Sequence, residues 1–78
     1  MREKATFYHA GCPVCAEAEH TILAALDPTR FQVEVVHLGQ SKDRIAEAER
    51  LGVKSVPALV LQDTVFHINY GAGIADLK

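Results

Sequence analysis

Residues 13–26 constrain this chain more than any other segment, because they read as a helix set between two strands. Val14, Ala18, Ile22, Ala25 and Leu26 recur at three- and four-residue spacing, while Glu17, Glu19 and His20 point elsewhere. Pro13 suits the first helical position, and Asp27-Pro28 marks the end, since a residue before proline is pushed out of the α region. Before the helix, the apolar and aromatic run at residues 5–9 stops at Ala10-Gly11. After it, residues 31–38 alternate and then become continuously β-prone, stopping at Gly39. Two strands joined by a helix of about a dozen residues form a parallel pair with a right-handed crossover.

The second half repeats the strand-helix order and then departs from it. Ser41 can cap a second helix with Asp43 in its first turn; Ile45, Ala48 and Leu51 give its inner face, and Gly52 supplies the residue past its end. Residues 57–61 and 64–70 are separated only by Gln62-Asp63, which is hairpin spacing and makes the last two strands antiparallel. Asp63 can take the left-handed conformation such a turn needs. Gly71-Ala72-Gly73 is expected to break the sheet, and residues 74–78 provide barely one helical turn. The fold class is therefore α/β, ordered β-α-β-α-β-β, as a single domain over residues 1–78.

A chain of 78 residues buries only about 60% of the surface its unfolded form exposes, so a second core has no room. Net charge is −2 with both signs interspersed, and no basic stripe marks a nucleic-acid partner. No apolar run reaches the roughly 18 residues of a membrane helix, and the start lacks the apolar core of a signal peptide, so no membrane partner and a cytoplasmic location are expected. Two cysteines, Cys12 and Cys15, do not make a disulfide scaffold, because a bridge between them closes too short a loop.

Cys12-Pro13-Val14-Cys15 lies where β1 gives way to the helix, the end of an α/β sheet at which active sites gather. Disulfide exchange needs a thiolate, and an ordinary thiol with a pKa of about 8.5 is mostly protonated at neutral pH. At the N-cap of the first helix, the Cys12 sulfur would face unpaired N–H groups and the positive end of the helix dipole. Cys12 is thus the candidate nucleophile. Cys15, three residues on and on the same helical edge, can resolve a mixed disulfide formed at Cys12. Pro13 starts the helix without losing a donor, and Val14 shapes the site without adding charge. His9 is either a partly charged neighbour of the thiolate or an exposed side chain at a strand end; His20, His37 and His67 read as surface. Tyr8 and Tyr70 read as packing or rim residues.

Ser55-Val56-Pro57 stands immediately before a strand and is best explained as a cis-proline loop, the alternative being an ordinary trans proline. In the cis form the backbone of Val56 would lie open beside the cysteines and could pair with an extended substrate. A zinc module built from Cys12, Cys15 and a histidine is the competing reading, although the second C-x-x-C of most such sites is absent and no metal ligands are assigned. A non-catalytic interaction domain is the third.

Residues 7–15, Phe-Tyr-His-Ala-Gly-Cys-Pro-Val-Cys, followed by residues 51–60, Leu-Gly-Val-Lys-Ser-Val-Pro-Ala-Leu-Val, resemble the glutaredoxin branch of the thioredoxin-like superfamily. The resemblance implies a sheet ordered β2-β1-β3-β4 with β3 antiparallel, a nucleophilic Cys12, a resolving Cys15 and a cis peptide before Pro57. It also implies a thiol–disulfide oxidoreductase that acts on disulfide-containing proteins or small thiols, with a reductase or glutathione as electron donor. No bound cofactor is implied beyond a redox-active Cys12–Cys15 disulfide, with glutathione a candidate co-substrate. Val14 stands where glutaredoxins usually carry Tyr, and His9 where they carry a lysine for the glutathione carboxylate. The family closes with a C-terminal helix that residues 74–78 are too short to supply, so the face left bare predicts a homodimer.

Overall fold

A computed structural model of the chain describes residues 3–11, 13–62 and 64–77, without the side chains at positions 13, 14, 69 to 72 and 75. The elements follow the expected order: β1 (Glu3–His9), α1 (Pro13–Ala25), β2 (Phe31–His37), α2 (Ile45–Leu51), β3 (Ser55–Leu61) and β4 (Thr64–Gly73). A short 3-10 turn, Lys42–Arg44, leads into α2, and another, Ile74–Leu77, follows β4. The four strands form one mixed sheet ordered β2-β1-β3-β4, with β1 parallel to β2 and antiparallel to β3, and β4 antiparallel to β3. This order and these directions are the ones the thioredoxin-like resemblance implied.

The sequence explains which strands lie inside. Residues 5–9 of β1 and 56–60 of β3 are all buried, as a near-continuous apolar strand should be when both faces are covered. On one face Ala5, Phe7 and Leu59 pack with Ala18 of α1; on the other Tyr8, Val36, Ala58 and Val60 pack with Ile45 and Ala48 of α2. The helix ends follow local chemistry. After α1 the Asp27 carbonyl accepts the N–H groups of Arg30 and Phe31, and its carboxylate accepts the Thr29 N–H at 2.9 Å. At the end of α2, Gly52 takes φ +100°, and the N–H groups of Gly52 and Val53 bond back to Glu49 and Ala48.

Two local expectations are corrected. Ser41 makes no side-chain cap bond; its carbonyl instead accepts the Arg44 N–H of the 3-10 turn that precedes α2. Gly71-Ala72-Gly73 does not break the sheet, because a register shift between Val56 and Ala58 lets β4 go on pairing, Ala72 with Val56 and Gly73 with Ser55. In the hairpin the left-handed residue is Gln62, at φ 56°, while Asp63 lies outside the described residues.

α2 is fastened to the sheet by a polar cluster. Arg44 grips Glu34 of β2 through Nη1 at 2.8 Å and Nη2 at 3.3 Å, and Glu47 through Nη2 at 2.8 Å. Glu47 also accepts the Tyr8 hydroxyl at 2.5 Å, and Lys4 stands 3.5 Å from Glu34. Hydrogen bonds from Arg44 hold both carboxyls below the usual carboxylate range. Burial, helped by the bond to Glu47, pushes the Tyr8 phenol upward, so it stays neutral.

With their folded pKa values depressed, Glu34 and Glu47 contribute stability that is whole above about pH 4.3 and is lost as pH falls through the folded values. Both side chains remain more than a third exposed, at 39% and 37%, so water screens the pairs. Arg44→Gln is expected to cost about 1 kcal/mol in urea unfolding near neutral pH. The cost should shrink at about pH 3, where the carboxylates of the unfolded chain are already protonated. An equal loss at both pH values would contradict the assignment.

Candidate functional site

The C-terminal ends of β1 and β2 bring two histidines side by side. His9 and His37 are register partners in the parallel pair, and their ring centroids lie 4.7 Å apart with the planes tilted by 54°. Strand alternation puts His9 on the same face as Phe7, whose ring stacks on it at 5.8 Å, and α1 covers that face with Glu19. The chain then turns through Gly11, which adopts φ +78° and donates its N–H to His9 Nδ1 at 3.1 Å. With Nδ1 the acceptor, the neutral ring carries its hydrogen on Nε2, which lies 3.5 Å from Glu19 Oε1. Burial lowers the His9 pKa against the opposing pull of Glu19, and His37 lowers it further. His9 is buried rather than an exposed strand end, and its burial works against the charged form of the ring.

His37 is the residue that sequence reasoning missed. It was expected at the surface, yet its ring is wedged between two glycines. A Cβ on Gly11 would stand 2.6 Å from its Nε2, and one on Gly39 would stand 2.8 Å from its Cε1. The His37 carbonyl accepts the N–H groups of Gln40 and Ser41, which pins the strand end. Its Nδ1 is buried and has no hydrogen-bond partner among the described residues. His20 and His67 are exposed as expected, although His67 Nε2 accepts the Lys54 N–H at 3.1 Å. The signal for His37 was the recurrence of glycine after the ends of both β1 and β2.

Of the two cysteines, Cys12 and the side chains of Pro13 and Val14 lie outside the described residues; α1 opens at Pro13. Cys15 is wholly buried in the first turn of α1, in the cluster that holds Tyr8, Leu38, Val53, Val56 and Ile74. The Val56–Pro57 peptide is cis, and Pro57 is buried. Val56 corrects an expectation: it is 0% exposed and pairs with Ala72 of β4, so its backbone is not open to an incoming strand. Its side chain lies in the same core cluster as Cys15, Leu38 and Val53. Among the described residues no three His, Cys, Asp or Glu side chains stand close enough to share a metal ion. His9 has committed one ring nitrogen to Gly11 and faces Glu19 with the other.

Gly39 tests the wedge, since a methyl there meets the imidazole. Gly39→Ala is expected to destabilise the chain by about 1–3 kcal/mol through overpacking, and to cost almost nothing in a His37→Ser background. A double-mutant cycle by denaturant unfolding measures the coupling; additive losses would mean the ring is not clamped there.

Comparison with known proteins agrees with this architecture. Residues 5–73 match the family TraF, described as F plasmid transfer operon protein. No curated protein matches the chain. Among solved structures, a dimeric thioredoxin-like protein from Nitrosomonas europea, determined in solution by NMR, is 62% identical, with a TM-score of 0.92 over 99% of this chain and 96% of that one. A family match over most of the length, joined to that identity, makes this chain a member of the TraF family and a thioredoxin-like protein.

Proposed function

We propose that the chain is a thiol–disulfide oxidoreductase working through Cys12 and Cys15. The observation that carries this reading is the sealing of Cys15 in the core at the first turn of a helix that opens one residue past Cys12. A thiol so buried is reached by a sulfur delivered from within the chain rather than by a bulky substrate.

The Cys12 thiolate attacks a substrate disulfide, forming a mixed disulfide and expelling one substrate sulfur as a thiolate. The Cys15 thiol gives up its proton and attacks the Cys12 sulfur, which releases the second substrate sulfur and leaves a Cys12–Cys15 disulfide. Two electrons pass to the substrate, and a reductase or glutathione returns them. The substrates are disulfide-containing proteins or small thiols, and the chemistry needs no bound cofactor. Pro13 and Val14 separate the two cysteines in the chain and Pro57 is the cis proline of the facing loop, while the buried Val56 supports that loop from within rather than binding substrate through its backbone.

Cys12→Ser should abolish reduction of a protein disulfide, whereas Cys15→Ser should accumulate mixed disulfides resolved only by added thiol. Equal trapping by both variants would overturn the roles. One zinc per chain that survives a strong chelator and blocks both thiols would replace the redox reading with a metal one.

The same reading extends to assembly. The solved relative is dimeric, and this chain exposes Val35 on edge strand β2 and Phe66 on edge strand β4, at 41% and 48%. Apolar side chains on open sheet edges favour pairing with a second copy. Sedimentation should therefore find a homodimer; a monomer at high concentration counts against it.

A further inference from the structure

We propose that the homodimer closes through the α1-side face of β2: Phe31, Val33 and Val35, with Leu23 of α1 beside them, pack against the same strip of a second copy. The inference rests on the homodimer reading above and names the surface that joins the two copies. The cysteines take no part in it.

The two faces of β2 are the reverse of what open water would select. Phe31, Val33 and Val35 stand in register with Glu3, Ala5 and Phe7, and Ala5 and Phe7 belong to the cluster beneath α1. Alternation therefore puts these three on the α1 side of the sheet, and Gln32, Glu34 and Val36 on the α2 side. Yet α1 lies chiefly over β4 and β3, less over β1, and reaches β2 least. The apolar side chains thus occupy the side that α1 leaves bare, while Glu34 on the other side is held by Arg44.

The packing shows the consequence. Among the described residues, the apolar cluster beneath α2 has far more fully buried members than partly buried ones. Beneath α1 the balance is reversed, with Phe31 and Val33 among those left partly open. Val35 and Leu23 are exposed outright. Leu23 stands one turn beyond Glu19, which faces His9 of β1. Because α1 sits over β3 and β4, the flank that reaches β1 is also the flank that looks toward β2. The four side chains make one apolar strip of the kind that marks an interaction surface.

Self-complementarity singles out a second copy as the occupant. Arg30, exposed, marks the N-terminal end of the strip; Glu19 marks the other, since it meets His9, the register partner of His37. A two-fold axis across β2 sets the strands antiparallel and brings Arg30 of each copy toward the Glu19 end of the other. Seven residues of strand run about 23 Å, and two strands with a helix flank span about 20 Å. Two such strips bury on the order of 1,000 Å², the lower end for a specific interface. On β4 the exposed Phe66 has Thr64 next to it on the same face and α1 over the strand, so it offers no comparable strip.

The test is sedimentation equilibrium under reducing conditions, with circular dichroism to check folding. An isologous interface counts each substitution twice, so Val35→Lys and Leu23→Glu should each raise the dimer Kd at least about 100-fold. Phe66→Lys should leave it within about 3-fold. In an equal mixture of isotope-labelled and unlabelled unaltered protein, filtered NOEs should join methyl groups of Leu23, Val33 and Val35 across the two copies. If Val35→Lys fails to fold, Leu23→Glu and these NOEs decide. A dimer that survives Leu23→Glu, or whose intermolecular NOEs arise from β4, overturns the strip and keeps the homodimer. An unaltered chain that stays monomeric at high concentration removes both.

Discussion

The double pairing of β1 governs the rest of the molecule. It is bonded in parallel to β2 and antiparallel to β3, so both its edges are paired and its direction is fixed by two neighbours. The parallel partner requires α1 as a crossover, which places the opening turn of that helix beyond the C-terminal end of β1. The antiparallel partner brings the cis Val56–Pro57 peptide toward the same end of the sheet. Cys15, in the first turn of that helix, thus comes into the same buried cluster as Val56 of the proline loop through strand order.

Much of this was legible in the sequence, because each element is bounded by residues with few conformational options. Pro13 and Asp27-Pro28 delimit α1, Gly52 ends α2, and the spacing of residues 57–61 and 64–70 admits little besides a hairpin. What escaped detection was non-local. The continuation of β4 through Gly73 depends on a register shift opposite Pro57, and glycines on their own read as a stop. That same continuation pairs with Val56. The cluster of Tyr8, Arg44 and Glu47 with Glu34 joins residues from four elements, β1, the 3-10 turn, α2 and β2, and no local pattern announces it.

His37 was missed for a related reason. A histidine closing an apolar strand looks like the point where the chain returns to water, and Gly11 and Gly39 look like turn residues serving only themselves. Their second role, leaving space for one ring, arises only when β1 and β2 lie in register with His9 opposite His37. The candidate site was therefore half readable. Its cysteines are encoded in a contiguous motif, whereas the imidazole pair comes from strand ends that only pairing brings together.

Tyr8 and His9 are neighbours in sequence, and the pleat sends them to opposite faces: one ties α2 to the sheet, the other shapes the turn before the cysteines. Anchoring and chemistry are thereby assigned by parity along a single strand. A slip of β1 by one residue would turn both side chains to the opposite faces, the phenol toward α1 and the imidazole toward α2, so there is no partly correct register that keeps either task. The fidelity with which this strand is threaded during folding is in that sense the same quantity as the fidelity of the site.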